Sequence, residues 1–278
     1  MDALSQRTKW QQLWPPPPPP ASVHRITIFA HFAANHRLSA SLLHQLQALA
    51  SQSAVLFVTQ SRLSRADCDV LAAYCTAGVL HIPQCPGLDH SSYRQGFAHV
   101  MRQRQRQQLP HLQWLWLVND SYYGPLCSLD VWQRAVQRME QSNLAAWGLT
   151  NSFQITYHLQ SYFRAFRSSI FSTDAFAAFM AKPWHTMDYQ RVVQHGELAI
   201  FREVVHPHPT SALRSARVHE TFNPTFADWR GTLQHAFALK KKLLRSLPVR
   251  AKGQLRSMLW HCGLSREQLQ ELMAELGL

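Results

Sequence analysis

The chain has 278 residues, 46% of them hydrophobic, so it can bury a real core, and no apolar stretch reaches the ~20 residues that span a bilayer. Lys and Arg outnumber Asp and Glu by 28 to 16, a formal charge of +12 that points to anionic partners: phosphorylated metabolites, acidic lipid headgroups or nucleic acid. Five cysteines without a CxxC pair argue for reduced thiols and against a zinc site or disulfide frame, and Met1–Trp14 lacks the apolar core of a signal peptide, so a cytoplasmic protein is expected.

In chain order, the uninterrupted prolines from Pro15 to Pro20 favour a polyproline II spacer, with residues 1–20 expected to form a disordered leader and linker. Val23–Phe29, β-branched and apolar, predicts a strand. A helix over Ser39–Ala50 follows, with Leu42, Leu43, Leu46 and Leu49 at helical spacing, and then the apolar strand Ala54–Thr59. Ser64 and Asp67 have the spacing of a capping box for a helix ending at Ala73. Gly78–Pro83 predicts a third strand, and Tyr93–Gln107 an Arg- and Gln-rich helix. Trp114–Val118 is a strand, Leu129–Gln141 a helix, and Ala146–Thr150 a strand leading into the polar and aromatic stretch Thr156–Phe163. Helices are predicted over Thr173–Ala181 and Asp188–His195, a loop over His206–Pro209, and mostly helix from Leu233 onward. Ser265 and Gln268 form a second capping box there.

Strands alternating with helices of about ten residues predict a mostly parallel sheet flanked by helices. The domain is expected to run from 21 to 247, with a helical tail over 248–278. Neither G-x-G-x-x-G nor a Walker A sequence occurs, which disfavours a dinucleotide-binding or P-loop protein. Residues 240–256 interleave Lys240, Lys241, Lys242, Arg245, Arg250, Lys252 and Arg256 with leucines and contain no acid. This is either a solvated basic face or a contact with an anionic membrane, in pieces because Pro248 and Gly253 interrupt it. No RRM, KH, zinc-finger or helix-turn-helix signature accompanies the charge, so nucleic acid is not the expected partner.

The most informative segment is Trp114–Pro125. An apolar run stops at Asn119 and Asp120, passes Ser121, Tyr122 and Tyr123, and turns through Gly124-Pro125. In open α/β sheets, ligands bind in the crevice beyond the carboxyl ends of the strands. Asp120 there is a candidate to bind a divalent cation or to accept hydrogen bonds from sugar or ribose hydroxyls; capping the turn with Asn119 and Ser121 is the structural alternative. Asp89, before the helix expected at Tyr93, is either a ligand-hydroxyl acceptor or an N-cap, and Arg94 is a candidate partner for phosphate oxygens. His158, Gln160 and Tyr162 alternate, so in a strand they share one face, too polar for an apolar interface.

Three segments in this order, Asn119–Pro125, Trp147–Ser152 and Tyr157–Phe163, resemble the rhamnan synthesis protein F family. Ile28–Phe32 at a strand end, Asn223-Pro224-Thr225 with Trp229, and Lys242–Arg245 extend the likeness from Val23 to Leu247. In the stretch Cys85–Gly96, Gly87, Asp89, Tyr93, Arg94 and Gly96 match the family pattern. Cys85 stands where it has Asn, and Ser91 where it has Gly, a change that would narrow a donor pocket. The resemblance implies a single GT-A-like α/β domain and a glycosyltransferase. It further implies L-rhamnose moved from a dTDP-sugar donor, with inversion, to a lipid-linked glycan of a cell-surface polysaccharide, at the inner face of the plasma membrane. In such an enzyme Asp120 is the candidate ligand for Mg²⁺ or Mn²⁺. Asp89, Tyr93, Arg94, Asn119, Ser121, His158, Gln160 and Tyr162 are candidates for the donor or substrate. Glu197, in His195-Gly196-Glu197-Leu198, is the first choice for the base, with Asp120 or Asp89 next. A sugar-nucleotide-binding module without catalysis, and a basic nucleic-acid-binding protein, are the rivals.

Overall fold

The computed structural model describes residues 11–14, 22–216 and 223–278, so the proline run lies outside the described residues. The chain is α/β, with a mostly parallel central sheet covered by helices on both faces. It begins with β1 (Gln11–Trp14), β2 (Arg25–His31), α1 (Ala40–Ala50), β3 (Ala54–Thr59), α2 (Arg65–Ala72) and β4 (Gly78–His81). Next come α3 (Leu88–Gln105), β5 (Trp114–Asn119), the short β6 (Tyr122–Tyr123), α4 (Leu129–Gln141) and β7 (Ala146–Ser152). The two-residue β8 (His158–Leu159) leads to β9 (Phe163–Arg167), α5 (Ser168–Phe171), α6 (Asp174–Ala181) and α7 (Tyr189–Val192), which runs on as π-helical turns over Val193–Leu198 and Phe201–Val205. The chain closes with β10 (Thr210–Arg214), α8 (Pro224–Ala227), α9 (Trp229–Ala236), β11 (Leu239–Lys240), α10 (Lys241–Ser246), α11 (Val249–Leu259) and α12 (Arg266–Leu276).

The main sheet has the order β1-β4-β3-β2-β5-β9-β7-β10, with β8 paired to β7. Strands β4, β3, β2 and β5 are mutually parallel, β9 is reversed between β5 and β7, and β10 is parallel to β7. Gln11–Trp14, placed in the leader by the sequence reading, pairs antiparallel with β4 at the edge.

Strands β3 and β5 are buried along their whole lengths, as continuous apolar runs in a doubly covered parallel sheet should be. One core face holds Ile28, Leu56, Leu117, Phe166, Tyr93 and Phe176 beneath α3 and α6. The other holds Trp116, Trp132, Trp147 and Phe163 beneath α1 and α4. Trp116 donates its indole N–H to Glu140 (3.2 Å), whose other oxygen pairs with Arg25 (2.6 Å), so this buried carboxylate is satisfied from both sides. Both capping boxes form, at Ser64–Asp67 and Ser265–Gln268.

Three local expectations change. Helix α3 begins at Leu88, five residues before the predicted Tyr93, which puts Asp89 inside the first turn rather than ahead of it; Gly87 is the N-cap and supplies no side-chain bond. The stretch Thr156–Phe163, whose alternation suited a strand, holds only the two-residue β8 and the first residue of β9, with Tyr162 between the two strands. The basic tail is not a loose appendage. Leu239, Leu243 and Leu244 share one core with Leu255, Leu259, Leu269 and Leu272, across residues 247–248, and that core includes Tyr123 and Leu126 from the turn after β5. Glu275 of α12 accepts hydrogen bonds from the Ser41 backbone N–H (3.1 Å) and hydroxyl (2.7 Å), placing a carboxylate at the N-terminus of α1.

Helix α3 lies so close to β2 that a Cβ on Gly96 would collide with Ile28 Cγ2. Gly96→Ala is therefore expected to destabilise the protein by about 1–3 kcal/mol through overpacking, despite the better helix propensity of Ala. A lowered urea midpoint with unchanged slope would show it, and an unchanged or raised midpoint would refute the close-packing argument.

Candidate functional site

Strands β3 and β4 lie to one side of β2 and β5 to the other, so the chain's winding reverses between β2 and β5. In open sheets such a reversal marks the crevice, outside the carboxyl ends of the two neighbours, where ligands bind. His31 ends β2, and Asn119 ends β5 with Asp120 and Ser121 directly after it.

Asn119 organises the crevice. Its side-chain amide donates to Asp89 Oδ2 (2.7 Å), and its carbonyl oxygen accepts from the Ser121 backbone N–H (3.0 Å) and hydroxyl (2.6 Å). Its backbone carbonyl accepts from Gln45 (3.2 Å) and its backbone N–H donates to Tyr162 O (3.2 Å). Asp89 Oδ1 lies 3.0 Å from His90 Nδ1. Burial pushes the Asp89 carboxyl up, but His90, the Asn119 hydrogen bond and the Arg164 guanidinium outweigh it and hold the pKa at about 2. Tyr93 and Arg164 are both fully buried; desolvation and the Asp89 charge raise the Tyr93 phenol well above its ordinary range.

Asp120 sits in the opposite situation. Half-buried, its carboxyl rises from 3.8 to about 6, chiefly by desolvation and further by the Asp89 charge, against the pull of Lys241 and of the Phe32 and Asp120 backbone N–H groups. Two neighbouring carboxyls are thus driven apart, one firmly ionised and one able to exchange a proton near neutrality. Across the crevice, β11 pairs antiparallel with β6, Lys240 opposite Tyr122. Lys240 Nζ donates to Ser121 Oγ (3.0 Å) and lies 4.6 Å from the centroid of the Tyr162 ring. Its pKa is lowered by burial, against the opposing charges of Glu197, Asp89 and Asp120. Lys241 donates its backbone N–H to Ser121 O (3.0 Å). His31, hydrogen-bonded to Thr59 (2.9 Å), is pushed down to about 4 by burial and by Lys241, and is neutral at physiological pH.

Glu197 reaches this neighbourhood because Gly196 lets the π-helical turn approach His90; a Cβ on Gly196 would overlap the imidazole. Glu197 Oε1 accepts the Ser161 backbone N–H (3.1 Å). His158 and Gln160 are buried and pair with each other, Nε2 to Nε2 at 2.9 Å. Tyr162 does not share their face: its ring packs on Tyr122 inside the core, and its hydroxyl meets Thr150 Oγ1 (2.6 Å). Arg94 turns to the Lys182 carbonyl (3.4 Å) at the end of α6, where a cation suits the helix C-terminus. Ser91 is a packing position, buried with its hydroxyl against Gly87. The structure thus gathers Asp89, Tyr93, Asn119, Asp120, Ser121 and Glu197, keeps His158 and Gln160 as a buried pair, and places the Tyr162 and Arg94 side chains in packing roles.

The donor set does not suit a divalent cation. Mg²⁺ and Mn²⁺ prefer about six oxygen ligands. Each Asp89 oxygen already has one partner, His90 or Asn119, and Glu197 Oε1 is bonded to Ser161, so few oxygen sites remain, and Asp120, the nearest further carboxyl, faces the charges of Lys240 and Lys241. Among the described residues, no group of three or more His, Cys, Asp or Glu could hold a metal.

Sequence reasoning missed Lys240, Lys241 and Arg164. The lysines read as part of a solvated basic run, and only the return of β11 to β6 brings them in. Arg164 left a legible trace, a charge set among Phe163, Ala165 and Phe166, whereas the strand's other cation, Arg167, stands at its end.

The raised Asp120 pKa has a sign that can be measured. A carboxyl whose folded pKa exceeds its unfolded value binds its proton more tightly when folded, so its ionisation costs stability as pH rises from about 4 to about 6. Asp120→Asn is expected to match wild type near the lower value, to gain on the order of 2 kcal/mol by the upper one and to hold that gain above it. Urea titrations across this range check it, and a pH-independent difference would contradict the assignment.

The rhamnan synthesis protein F family model matches residues 55–206, more than half of the chain. No curated protein sequence matches. Among solved structures, the chain is similar to a glycosyltransferase involved in the glycosylation of the major capsid of PBCV-1, at 11% identity and a TM-score of 0.40, covering 90% of this chain and 98% of that one. It is also similar to a mannose-1-phosphate geranyltransferase from Thermus thermophilus, at 11% and 0.38, covering 70% and 74%. Core-mannan synthase A from Aspergillus fumigatus, in its Mn/GDP form, is similar at 12% and 0.35, covering 77% and 85%. Likeness this low carries no weight for ligand or activity. The family match does: the chain belongs to the rhamnan synthesis protein F family and is a glycosyltransferase.

Proposed function

We propose that the chain transfers a deoxyhexose, L-rhamnose from dTDP-rhamnose, with inversion, onto a lipid-linked glycan that becomes a cell-surface polysaccharide. The observation that carries the reading is the pair of carboxyls at the β2–β5 crevice, Asp89 held ionised near 2 and Asp120 raised to about 6. The mostly parallel sheet with one reversed interior strand supports its GT-A-like character. Asp89, locked by Asn119 and His90, is suited to accept hydrogen bonds from donor hydroxyls. Asp120, poised near neutrality, is the better base, while Glu197 is occupied with Ser161 and the charge of Lys240. In one displacement the acceptor hydroxyl loses its proton to the Asp120 carboxylate and its oxygen bonds to the anomeric carbon. The bond from that carbon to the diphosphate breaks, and its electron pair leaves on the phosphate oxygen. Bond made and bond broken are in line, so the configuration inverts.

The expected result in a thermal-shift series is stabilisation by dTDP-rhamnose and not by the UDP- or GDP-sugars, since a ligand bound only to the native state raises its apparent stability. Turnover should fall at least about 100-fold in Asp120→Asn, a typical general-base contribution, and the acid limb of the wild-type pH profile, with an apparent pKa near 6, should vanish in the residual rate. Wild-type turnover in that variant would sink the base assignment.

The acceptor's lipid makes a membrane-facing surface part of the same reading. Val249 and Trp260, at the two ends of α11, are 87% and 50% exposed, and the exposed Arg250 and Arg256 lie between them with no acidic residue on the helix. This is the pattern of a helix resting on an anionic interface. No helix among the described residues is long and apolar enough to cross a membrane. Sedimentation with vesicles containing phosphatidylglycerol should pull down the wild type, and Arg250→Glu with Arg256→Glu should abolish it. Equal recovery of both proteins would remove the membrane contact.

A further inference from the structure

We infer that Lys240, seconded by Lys241, forms the binding site for the diphosphate of the sugar donor, so that the protein's own ammonium groups neutralise the leaving group. The inference rests on the transferase reading above and adds to it the anion site and its independence of a divalent cation. Neither lysine lies in the segment that matches the family model, which ends at residue 206.

The geometry is built for a fixed charge. Lys240 is the last residue of β11, and its backbone pairs with Tyr122, two residues past Asp120. The position is therefore set by a strand ladder rather than by a flexible loop. A further backbone bond, from the Leu126 N–H to Phe237 O (2.6 Å), flanks this pairing, and Leu239 packs with Tyr123 and Leu126 in one core. The side chain is clasped between the Ser121 hydroxyl and the face of the Tyr162 ring. Ser121 Oγ in turn donates to Asn119, the residue that holds Asp89. The ammonium is thus coupled, through two hydrogen-bonded side chains, to the carboxyl that would touch donor hydroxyls.

Its charge is also under-used. An ammonium carries three donors, and the hydrogen bond to Ser121 takes one. Among the described residues, no carboxylate makes an ion pair with Lys240 within 4.0 Å, although Glu197, Asp89 and Asp120 all act on it electrostatically. A lysine that serves only as a structural counter-ion would close directly on one of them. Lys241 adds a second, half-buried charge at 5.2 Å from the Tyr123 ring, acting on Asp120 and His31. The neutral His31 adds no charge of its own. An anion at this edge of the crevice completes the lysines' coordination with charge-assisted hydrogen bonds. It also receives stabilisation as negative charge grows on the departing diphosphate. A divalent cation in the same place would meet two ammonium groups.

The test is calorimetric titration of the full chain with dTDP, UDP and GDP, each in EDTA and in MgCl₂, with thymidine, uridine and guanosine as phosphate-free controls. The diphosphate that binds wild type is expected to do so in EDTA with an affinity within about threefold of that in MgCl₂. Lys240→Gln should weaken it at least about tenfold, the size of one charged hydrogen bond, while Lys240→Arg stays within about threefold and nucleoside affinity is unchanged. Where circular dichroism shows that Lys240→Gln does not fold, Ser121→Ala, which removes the hydroxyl between the ammonium and Asn119 but keeps the backbone N–H on Asn119, should still weaken diphosphate binding about threefold without altering nucleoside binding. Binding that requires MgCl₂ and is the same in wild type, Lys240→Gln and Ser121→Ala overturns the lysine site and leaves the transferase reading standing. Binding of none of the three diphosphates by wild type overturns the transferase reading itself, and the lysine site with it.

Discussion

The side-chain amide of Asn119 is the joint on which the crevice depends. Its two ends face different segments, the NH₂ toward Asp89 on α3 and the oxygen toward Ser121 in the turn after β5. An amide suits this place because it offers donor and acceptor in a fixed plane without a charge of its own. An aspartate there would repel Asp89, and an apolar residue would take from Asp89 Oδ2 and the Ser121 N–H the partner each has in Asn119. Because Ser121 also holds Lys240, the same amide links the first half of the sheet, the sheet edge and the C-terminal segment.

The electrostatics follow from that joint. Desolvation acts on both carboxyls, yet Asp89 stays strongly acidic because His90, Asn119 and Arg164 surround it, while Asp120 has fewer close partners and takes part of Asp89's repulsion. The lysines enter on the side of the less compensated carboxyl. The total basic excess of the chain says little about this: seven of its cations lie between 240 and 256, and their fates differ by position. Lys240 is turned inward by a two-residue strand, Arg250 and Arg256 stay on the exposed side of α11, and Leu255 and Leu259 on the same helix are buried.

Much of the fold was legible in the residues. The runs Ala54–Thr59 and Trp114–Val118 became buried parallel strands, and the Ser64 and Ser265 boxes started helices where their spacing placed them. These are local signals, in which a side chain and the backbone it satisfies lie within four residues. Elements that depend on distant partners were not legible. Strands β6 and β11 have two residues each and exist only because they pair with one another. The reversed β9 was not predicted: the polar and aromatic stretch was read only as far as Phe163, where β9 begins, and the strand exists by pairing with β5 and β7, which are distant in the chain.

The sequence by itself determined the α/β class, the family, and where β5 ends, because an apolar run that stops at Asn119-Asp120 is a one-dimensional record of a buried strand reaching its carboxyl end. The tertiary structure decided which partners surround that end. Asp89 moved from a candidate cap to a locked carboxylate once α3 began at Leu88, and the lysines of the tail became the cations of the crevice once β11 returned to β6. The physical reason is range. Hydrophobic periodicity and capping act between neighbours in the chain, whereas a carboxyl's ionisation and an ammonium's partner are set by charges brought together across more than a hundred residues, as Ser121 and Lys240 are.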